Sequence, residues 1–236
     1  MNNDNEVQYD QDWFRYVPDS WWFRPSDIVE RESLAVMDKL NITKGSSILD
    51  CPCGRADMSK SLAGCGAKIV GIDRKLKFIG IARLRTLKWW RNTRFLCMDM
   101  RDVQFDDQFD FVINWFNSFG YFSDKENMDV IRSFNRALKK DGRLIILGEN
   151  ISKMKSFYPR KEDMKDIFWD SENHCVGYVL SKRRKRIYGR AYFPTIGEYE
   201  SILEEAGFKI EEIYDNHMRE FDEKSSNWFV IVAKKI

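Results

Sequence analysis

Residues 47–57 read Ser-Ile-Leu-Asp-Cys-Pro-Cys-Gly-Arg-Ala-Asp, a short apolar run that ends in an acid and passes into a turn of small residues. Two further apolar runs, 69–73 (IVGID) and 95–99 (FLCMD), also end in an aspartate. Asp73 follows Asp50 at about the spacing of 20 residues at which an acid after the second strand holds ribose hydroxyls. The pattern predicts a parallel α/β sheet with a nucleoside-sized ligand across the carboxyl edge of its strands.

Strands and helices alternate along most of the chain. Apolar runs rich in β-branched and aromatic residues predict seven strands, and periodic apolar positions between them predict helices, the first capped by Ser26 or Asp27. Alternation at this spacing favours a parallel sheet with right-handed crossovers. The predicted strands are 47–50, 68–73, 94–98, 109–115, 143–148, 209–214 and 228–233, and the predicted helices are 26–40, 56–63, 76–90, 125–139 and 196–206.

The alternation breaks between residues 150 and 194. That stretch holds aromatic and β-branched runs without a clear crossover helix, so we interpret it as an inserted antiparallel hairpin or small sheet. Insertions near the carboxyl ends of strands build binding walls, and we expect this subdomain on the substrate side of the site. The chain, 1–236, is then one domain with an N-terminal lid or helix segment, 1–40, and one insertion.

Composition narrows the class of protein. The chain has 236 residues, of which 43% are hydrophobic, and its net charge of +2 comes from 39 basic and 37 acidic residues. This balance argues against a nucleic-acid partner. Five cysteines without paired spacing argue against a disulfide scaffold or a metal site and indicate reduced thiols in a cytoplasmic protein. The polar start and the lack of a long apolar run predict a soluble chain without a membrane partner.

The sequence resembles the class I S-adenosylmethionine-dependent methyltransferases over nearly its whole length. The resemblance implies a doubly wound, Rossmann-like sheet of seven mostly parallel strands with an antiparallel last strand, and S-adenosyl-L-methionine as the cofactor. Within the class, the chain looks like the branch that acts on small molecules and peptide amines. The motifs that carry the resemblance are 48–56, Asp73, 99–101, 114–122, 203–208 and 230–234.

The resemblance also assigns roles to residues at the strand ends. It implies that Asp73 holds the ribose hydroxyls, that Asp99 receives the adenine amino group and that Met100 packs against the base. It further implies that Asn114 and Trp115 face the methyl group that is transferred. The other predicted donor contacts are Asp50, Cys51, Cys53, Gly54 and Arg74.

The turn after the first strand departs from the family's pattern of three glycines. Only Gly54 remains, and Pro52 and Ala56 occupy the other two positions. Proline fixes φ and removes a backbone donor, and alanine costs about 1–2 kcal/mol if position 56 needs a left-handed backbone. These departures leave open a non-catalytic nucleoside-binding protein.

Aromatic residues crowd the N-terminal segment. They form either a core strip beneath the first helix or a lid that folds over the donor. In a lid, Trp22 or Tyr16 would pack near the sulfonium, which attracts aromatic faces as other cations do. Arg24 would then hold the methionine carboxylate through a paired hydrogen bond. The aromatic residues are Trp13, Phe14, Tyr16, Trp21, Trp22 and Phe23.

No catalytic dyad is visible in the sequence. An amine acceptor needs only to arrive in its neutral form, so a general base is dispensable. An oxygen acceptor would require one, for which Tyr121, His174 and His217 are the candidates. We therefore interpret the reaction as in-line methyl transfer to a small molecule or peptide, with an amine as the acceptor.

The densest charge run is either a solvated hairpin tip or a docking patch for an anionic substrate. A docking patch would also suit an RNA- or protein-modifying methyltransferase, and that alternative stays open. The run consists of Lys182, Arg183, Arg184, Lys185 and Arg186.

Overall fold

The computed structural model describes residues 10, 13–160, 166–182 and 185–236. Their strands are β1 Ser47–Asp50, β2 Lys68–Asp73, β3 Thr93–Cys97, β4 Phe109–Asn114, β5 Leu138–Glu149, β6 Ile167–Asp170, β7 Cys175–Lys182, β8 Lys185–Ala191, β9 Phe208–Tyr214 and β10 Trp228–Lys235. Their helices are α1 Ser26–Lys39, α2 Asp57–Gly64, α3 Leu76–Arg85, α4 Asp124–Ala137, α5 Ile151–Met154 and α6 Ile196–Glu205.

Seven of these strands form the main sheet, in the order β3-β2-β1-β4-β5-β10-β9. The strands from β3 to β5 in this order pair in parallel, whereas β10 runs antiparallel to both of its neighbours. The predicted mostly parallel sheet with an antiparallel last strand is therefore confirmed. The strand order reverses between β1 and β4, and the carboxyl ends of the strands leave a crevice at such a point.

Alternate residues of the strands face opposite layers of helices. Ile48 belongs to the apolar cluster that includes α1 and α2, while the next residue, Leu49, belongs to the cluster that includes α4 and α6. Both side chains are fully buried. Since both faces of the sheet are covered, its central strands read as nearly continuous apolar runs.

Several boundaries differ from the prediction, and the largest shift is at α4, which ends at Ala137 and not at 139, so that β5 begins at Leu138 and not at 143. Pro25 occupies the cap position of α1 that was expected for Ser26 or Asp27, and no side chain caps this helix. α3 ends at Arg85, because Thr86 donates its hydroxyl back to the Ala82 carbonyl at 2.8 Å and a 3-10 turn follows. No helix in the described ranges is long and apolar enough to cross a bilayer.

The insertion contains the small antiparallel sheet that the sequence predicts. β6, β7 and β8 pair in this order, and the sheet packs against Trp13 and Phe14. The Trp13 indole stacks on Tyr178 with 4.4 Å between the ring centroids. It lies so close to Gly189 that a Cβ atom there would meet the ring at 2.3 Å. The first half of the aromatic segment is therefore a core strip, which packs against the insertion and not beneath α1.

The basic run falls at the end of the β7–β8 hairpin. The backbone of Lys182 pairs with that of Lys185, and Arg186 is exposed. Arg183 and Arg184 lie outside the described residues. Docking of an anionic substrate at this hairpin stays a prediction.

Candidate functional site

A pocket opens at the carboxyl ends of β1, β2, β3 and β4. The space between its walls, including open solvent at its mouth, is about 1110 Å³. Eleven of the twelve residues predicted to contact the donor line this pocket, and Tyr121 lines it as well. The eleven are Trp22, Arg24, Asp50, Cys51, Cys53, Gly54, Asp73, Arg74, Asp99, Met100 and Trp115.

Four of the residues named as site candidates do not line the pocket, and one of them, Tyr16, packs instead against the core of the insertion. Asn114 is buried behind the turn, where its side-chain amide donates to the Cys51 carbonyl at 2.9 Å. His174 lies on the exposed turn between β6 and β7, and His217 lies exposed on the β9–β10 loop. Asn114 thus braces the end of β4 against the turn, and neither histidine is placed to act as a base in this pocket.

The turn between β1 and α2 bends over the strand ends. The Cys51–Pro52 peptide bond is cis, and Gly54 and Ala56 have φ angles of 52° and 62°. The left-handed backbone at Ala56 carries the strain of about 1–2 kcal/mol that the missing glycine implies. The Cys53 N–H donates to the Ile72 carbonyl at 2.7 Å. This bond ties the turn to the end of β2.

Two backbone donors hold the Asp73 carboxylate at the end of β2. The Gly54 N–H donates to Oδ2 at 3.0 Å and the Lys75 N–H donates to Oδ1 at 2.8 Å. Burial raises the pKa of Asp73, and these two donors oppose that effect. An ionised carboxylate has about four acceptor positions. The two backbone bonds therefore leave capacity for a pair of ligand hydroxyls.

Asp50, at the end of β1, is a buried carboxyl that accepts a hydrogen bond from the Ser59 hydroxyl. No cationic side chain among the described residues pairs with it. Burial, with repulsion from Asp73 and Asp57, raises the pKa of Asp50 to about 7. Protonated and ionised forms therefore coexist near neutral pH.

Asp99, after β3, is already in an ion pair. Arg101 donates to its Oδ1 from the backbone N–H and from Nε, both at 3.1 Å, and to its Oδ2 from a terminal nitrogen at 3.0 Å. Burial acts against ionisation of Asp99, but these hydrogen bonds outweigh it and lower the pKa. Met100 follows in a 3-10 turn that Asp99 caps, and both residues line the pocket.

A buried carboxylate joins α1 to the end of β4. Glu32 is fully buried and accepts both terminal nitrogens of Arg24, at 2.5 and 2.7 Å. It also accepts the Trp115 indole N–H and the Asn216 amide, each at 3.1 Å. Arg24 lies over the Phe116 ring at 4.9 Å from its centroid. Glu32 thus uses two of the five N–H donors of a guanidinium that was expected to hold a ligand carboxylate.

Aromatic rings form the other half of the pocket. The Tyr121 ring lies 6.2 Å from Trp22 and 6.5 Å from Phe14, measured between centroids, and Phe116 and Phe122 complete the wall. Burial raises the pKa of Tyr121, so its hydroxyl stays protonated near neutral pH. No described residue of the insertion lines the pocket, but Phe14 also belongs to the insertion's core. The insertion therefore supports this wall from behind.

Several residues of the site were missed from the sequence, among them Arg55 and Glu32. Arg55 lines the pocket, its Nε is buried without a hydrogen-bond partner among the described residues, and its guanidinium lies 3.6 Å from the Phe23 ring centroid. Nothing in the sequence singles it out. Glu32 had a signal, because it falls on the apolar face of α1 between Val29 and Val36, where an acid requires partners.

Residues 48–142 match a protein family described as a methyltransferase domain. The putative methyltransferase YqeM of Bacillus subtilis is 29% identical over 188 residues, which cover 70% of this chain and 74% of that protein. The solved CcbJ methyltransferase of Streptomyces caelestis superposes with a TM-score of 0.74 at 15% identity, over 94% of this chain and 99% of that one. A third similar protein is the solved 1,6-didemethyltoxoflavin-N1-methyltransferase of Burkholderia thailandensis, with bound 1,6-didemethyltoxoflavin and S-adenosylhomocysteine. It superposes with a TM-score of 0.58 at 14% identity, over 92% of this chain and 81% of that one.

Proposed function

We propose that this chain, whose residues 48–142 match a methyltransferase domain, transfers the methyl group of S-adenosylmethionine to an amine of a small molecule or peptide. The division of the pocket into two unlike halves carries this proposal. Acids and backbone donors at the ends of β1, β2 and β3 form a polar half. Rings from the N-terminal segment and from the loop after β4 form an aromatic half.

The polar half suits the methyl donor. Asp73 would bind the ribose hydroxyls with its remaining acceptor positions, Asp99 would accept the adenine amino group and Met100 would pack against the base. Arg55, with a buried Nε that lacks a hydrogen-bond partner among the described residues, and Arg24 would face the methionine carboxylate. When bound, S-adenosylmethionine supplies a methyl group that the positive sulfur has already activated.

The aromatic half suits an acceptor that gains positive charge. The rings of Trp22 and Tyr121 would hold a neutral amine in line with the leaving sulfur and exclude water around it. Their faces would also stabilise the charge that grows on the nitrogen while the new C–N bond forms and the C–S bond breaks. The nitrogen then loses its proton to water, so the enzyme needs no base for the transfer.

An oxygen acceptor that carries a proton fits this half less well, because it needs a base within hydrogen-bond reach. Tyr121 keeps its own proton, since burial raises its pKa, and neither histidine lines the pocket. Asp50, with a pKa of about 7, belongs to the polar half with its hydrogen bond to Ser59. Among the described lining residues, the aromatic half therefore offers no base.

We assign the second half of the N-terminal aromatic segment to the lid. Its 3-10 turn, Asp19–Trp22, is held against the start of α3 because Asp19 accepts Lys75 Nζ at 3.0 Å and Lys77 Nζ at 2.7 Å. These bonds keep Trp22 over the pocket, where its Nε1 is buried without a partner among the described residues. A lid anchored in this way would keep bulk water from the reacting atoms.

Labelled methyl transfer tests the proposal. The purified enzyme is incubated with methyl-labelled donor and separate pools of amines, phenols and alcohols. We expect label in the amine pool, a rate that rises about tenfold per pH unit below the pKa of the amine, and little change in Tyr121→Phe. The control is Tyr199→Phe, which alters a buried tyrosine that does not line the pocket.

The opposite result is equally clear. Label in the phenol or alcohol pool, with a loss of about 100-fold or more in Tyr121→Phe and none in Tyr199→Phe, would assign an oxygen acceptor and a base role to Tyr121. Donor binding without label in any pool would remove the small-molecule proposal. Label in RNA or protein fractions of a cell extract would assign the macromolecular alternative.

A further inference from the structure

The surface around α3 concentrates positive charge. Residues 74–94 contain eight lysines and arginines and no acid, whereas the whole chain has a net charge of only +2. The rest of the chain is therefore net negative. Several of these bases are exposed, and the neighbouring exposed positions are apolar or glycine. The exposed bases are Lys77, Arg83, Lys88, Arg91 and Arg94.

Four large apolar side chains lie among these bases without cover. Leu76, Leu84, Leu87 and Trp90 are 69%, 75%, 64% and 64% exposed. Leu76, the exposed Gly80 and Leu84 follow one another at intervals of four residues along one side of α3, and Leu87 begins the next 3-10 turn, which Trp90 follows. Single exposed leucines are ordinary, but four large exposed apolar side chains between residues 76 and 90 indicate a surface that meets an apolar environment.

The core does not account for these four side chains. α3 already packs against the sheet through Phe78, Ile79 and Ala82, which are buried. A basic helix face with exposed leucine and tryptophan side chains is typical of segments that lie in a membrane interface. α3 has ten residues, so this contact would lie on a bilayer and not cross it.

We propose that this surface, formed by the exposed residues of 74–94, binds the face of an anionic phospholipid bilayer. The bases would meet lipid phosphates, and the three leucines and Trp90 would enter the headgroup region. A nucleic acid would match the bases but leave the four apolar side chains exposed to water. A second copy of the chain, packed symmetrically on the same face, would bring one cluster of bases against the other.

The surface begins at the pocket. Lys75 and Phe78 line it, and Lys75 and Lys77 hold the lid through Asp19. A bilayer bound along α3 would therefore lie beside the donor site. No membrane partner was expected from the sequence, because the chain has no long apolar run that could span a bilayer. Binding to the face of a bilayer would revise that expectation.

Vesicle binding tests the proposal. The intact protein is sedimented with vesicles of phosphatidylcholine, with and without phosphatidylglycerol, at low and at physiological salt. We expect binding to the anionic vesicles alone, weakening as the salt concentration rises. Neutralising three bases should lower partitioning about 100-fold, and replacing three apolar residues should lower it at least tenfold. The two triple variants are Lys88→Gln/Arg91→Gln/Arg94→Gln and Leu84→Gln/Leu87→Gln/Trp90→Gln.

Matched variants separate this surface from bulk charge and hydrophobicity. The first control removes three exposed lysines elsewhere and changes the net charge equally, and the second removes an exposed leucine of α1. Both controls should partition like the parent, and every variant should keep the parent's melting temperature and its affinity for S-adenosylhomocysteine. The controls are Lys60→Gln/Lys125→Gln/Lys209→Gln and Leu34→Gln.

Four outcomes would overturn the proposal. The first is no binding to anionic vesicles, and the second is an equal loss in the lysine control. The third is that the protein binds single-stranded RNA and not vesicles, and that the variant without the three bases no longer binds this RNA. The fourth is a concentration-dependent dimer that disappears when the three apolar residues are replaced, which would assign the face to self-association.

Discussion

Replacing Asp50 by asparagine tests the buried carboxyl at the end of β1. Its pKa is about 7 against an ordinary 3.8, mainly because of burial, so at about pH 5.5 the folded protein keeps a proton that the unfolded chain has released. The free energy of unfolding therefore falls as the pH rises toward the folded pKa. At about 1.4 kcal/mol per pH unit, the loss between about pH 5.5 and 7 is about 2 kcal/mol.

Urea unfolding of the parent and of Asp50→Asn, without ligand, measures this loss. Asparagine keeps an acceptor for Ser59 and is neutral at every pH. The variant should therefore gain about 2 kcal/mol relative to the parent between about pH 5.5 and 8.5. The control is Asp38→Asn, which removes an exposed carboxylate of α1 and should show no such gain. If the free energy of unfolding of Asp50→Asn relative to the parent stays constant or falls at the higher pH, position 50 does not hold a buried, uncompensated acid.

Trp13→Ala should lower the free energy of unfolding by about 3–5 kcal/mol, because the indole is 2% exposed and stacks against the insertion. A loss below about 1 kcal/mol in urea would instead describe a loose lid. Ala56→Gly should change stability by less than about 1 kcal/mol, because relief of the left-handed strain offsets the lost methyl group and the added chain entropy. Ala63→Gly in α2 should cost about 1–2 kcal/mol in the same assay, and equal losses would contradict strain at the turn. Neutralising the arginines at 183, 184 and 186 should raise the KM of an anionic substrate and leave the affinity for S-adenosylhomocysteine intact. If the KM and its salt dependence do not change, this basic run is solvated surface.

The sheet and the polar half of the pocket were predictable from sequence because their signals are local. β1 and β2 have the predicted bounds, since each is a buried apolar run that stops at an aspartate. The position of Asp73 after β2 then follows from strand direction alone, because parallel strands end at one edge. Strain at Ala56 was also predictable from the missing glycine.

The rest of the site and the residues that support it depend on contacts between residues that are distant in the chain. Trp13 packs on Tyr178, and Trp115 donates to Glu32, but no sequence period relates these partners. Arg24 was expected to hold a ligand, and the sequence did not reveal that Glu32 would meet it first. The raised pKa of Tyr121 likewise follows from rings that gather around it only in the folded chain.

Binding of S-adenosylhomocysteine to the parent and to Asp73→Asn, measured by calorimetric titration, tests the donor site most directly. Asp102→Asn, which alters an exposed acid in the 3-10 turn after β3, is the control. The parent and the control should bind alike, and Asp73→Asn should bind at least about tenfold more weakly, because ribose hydroxyls lose a charged acceptor. Equal affinity in all three proteins, or comparable binding of NAD to the parent, would contradict the assignment of this pocket to the methyl donor.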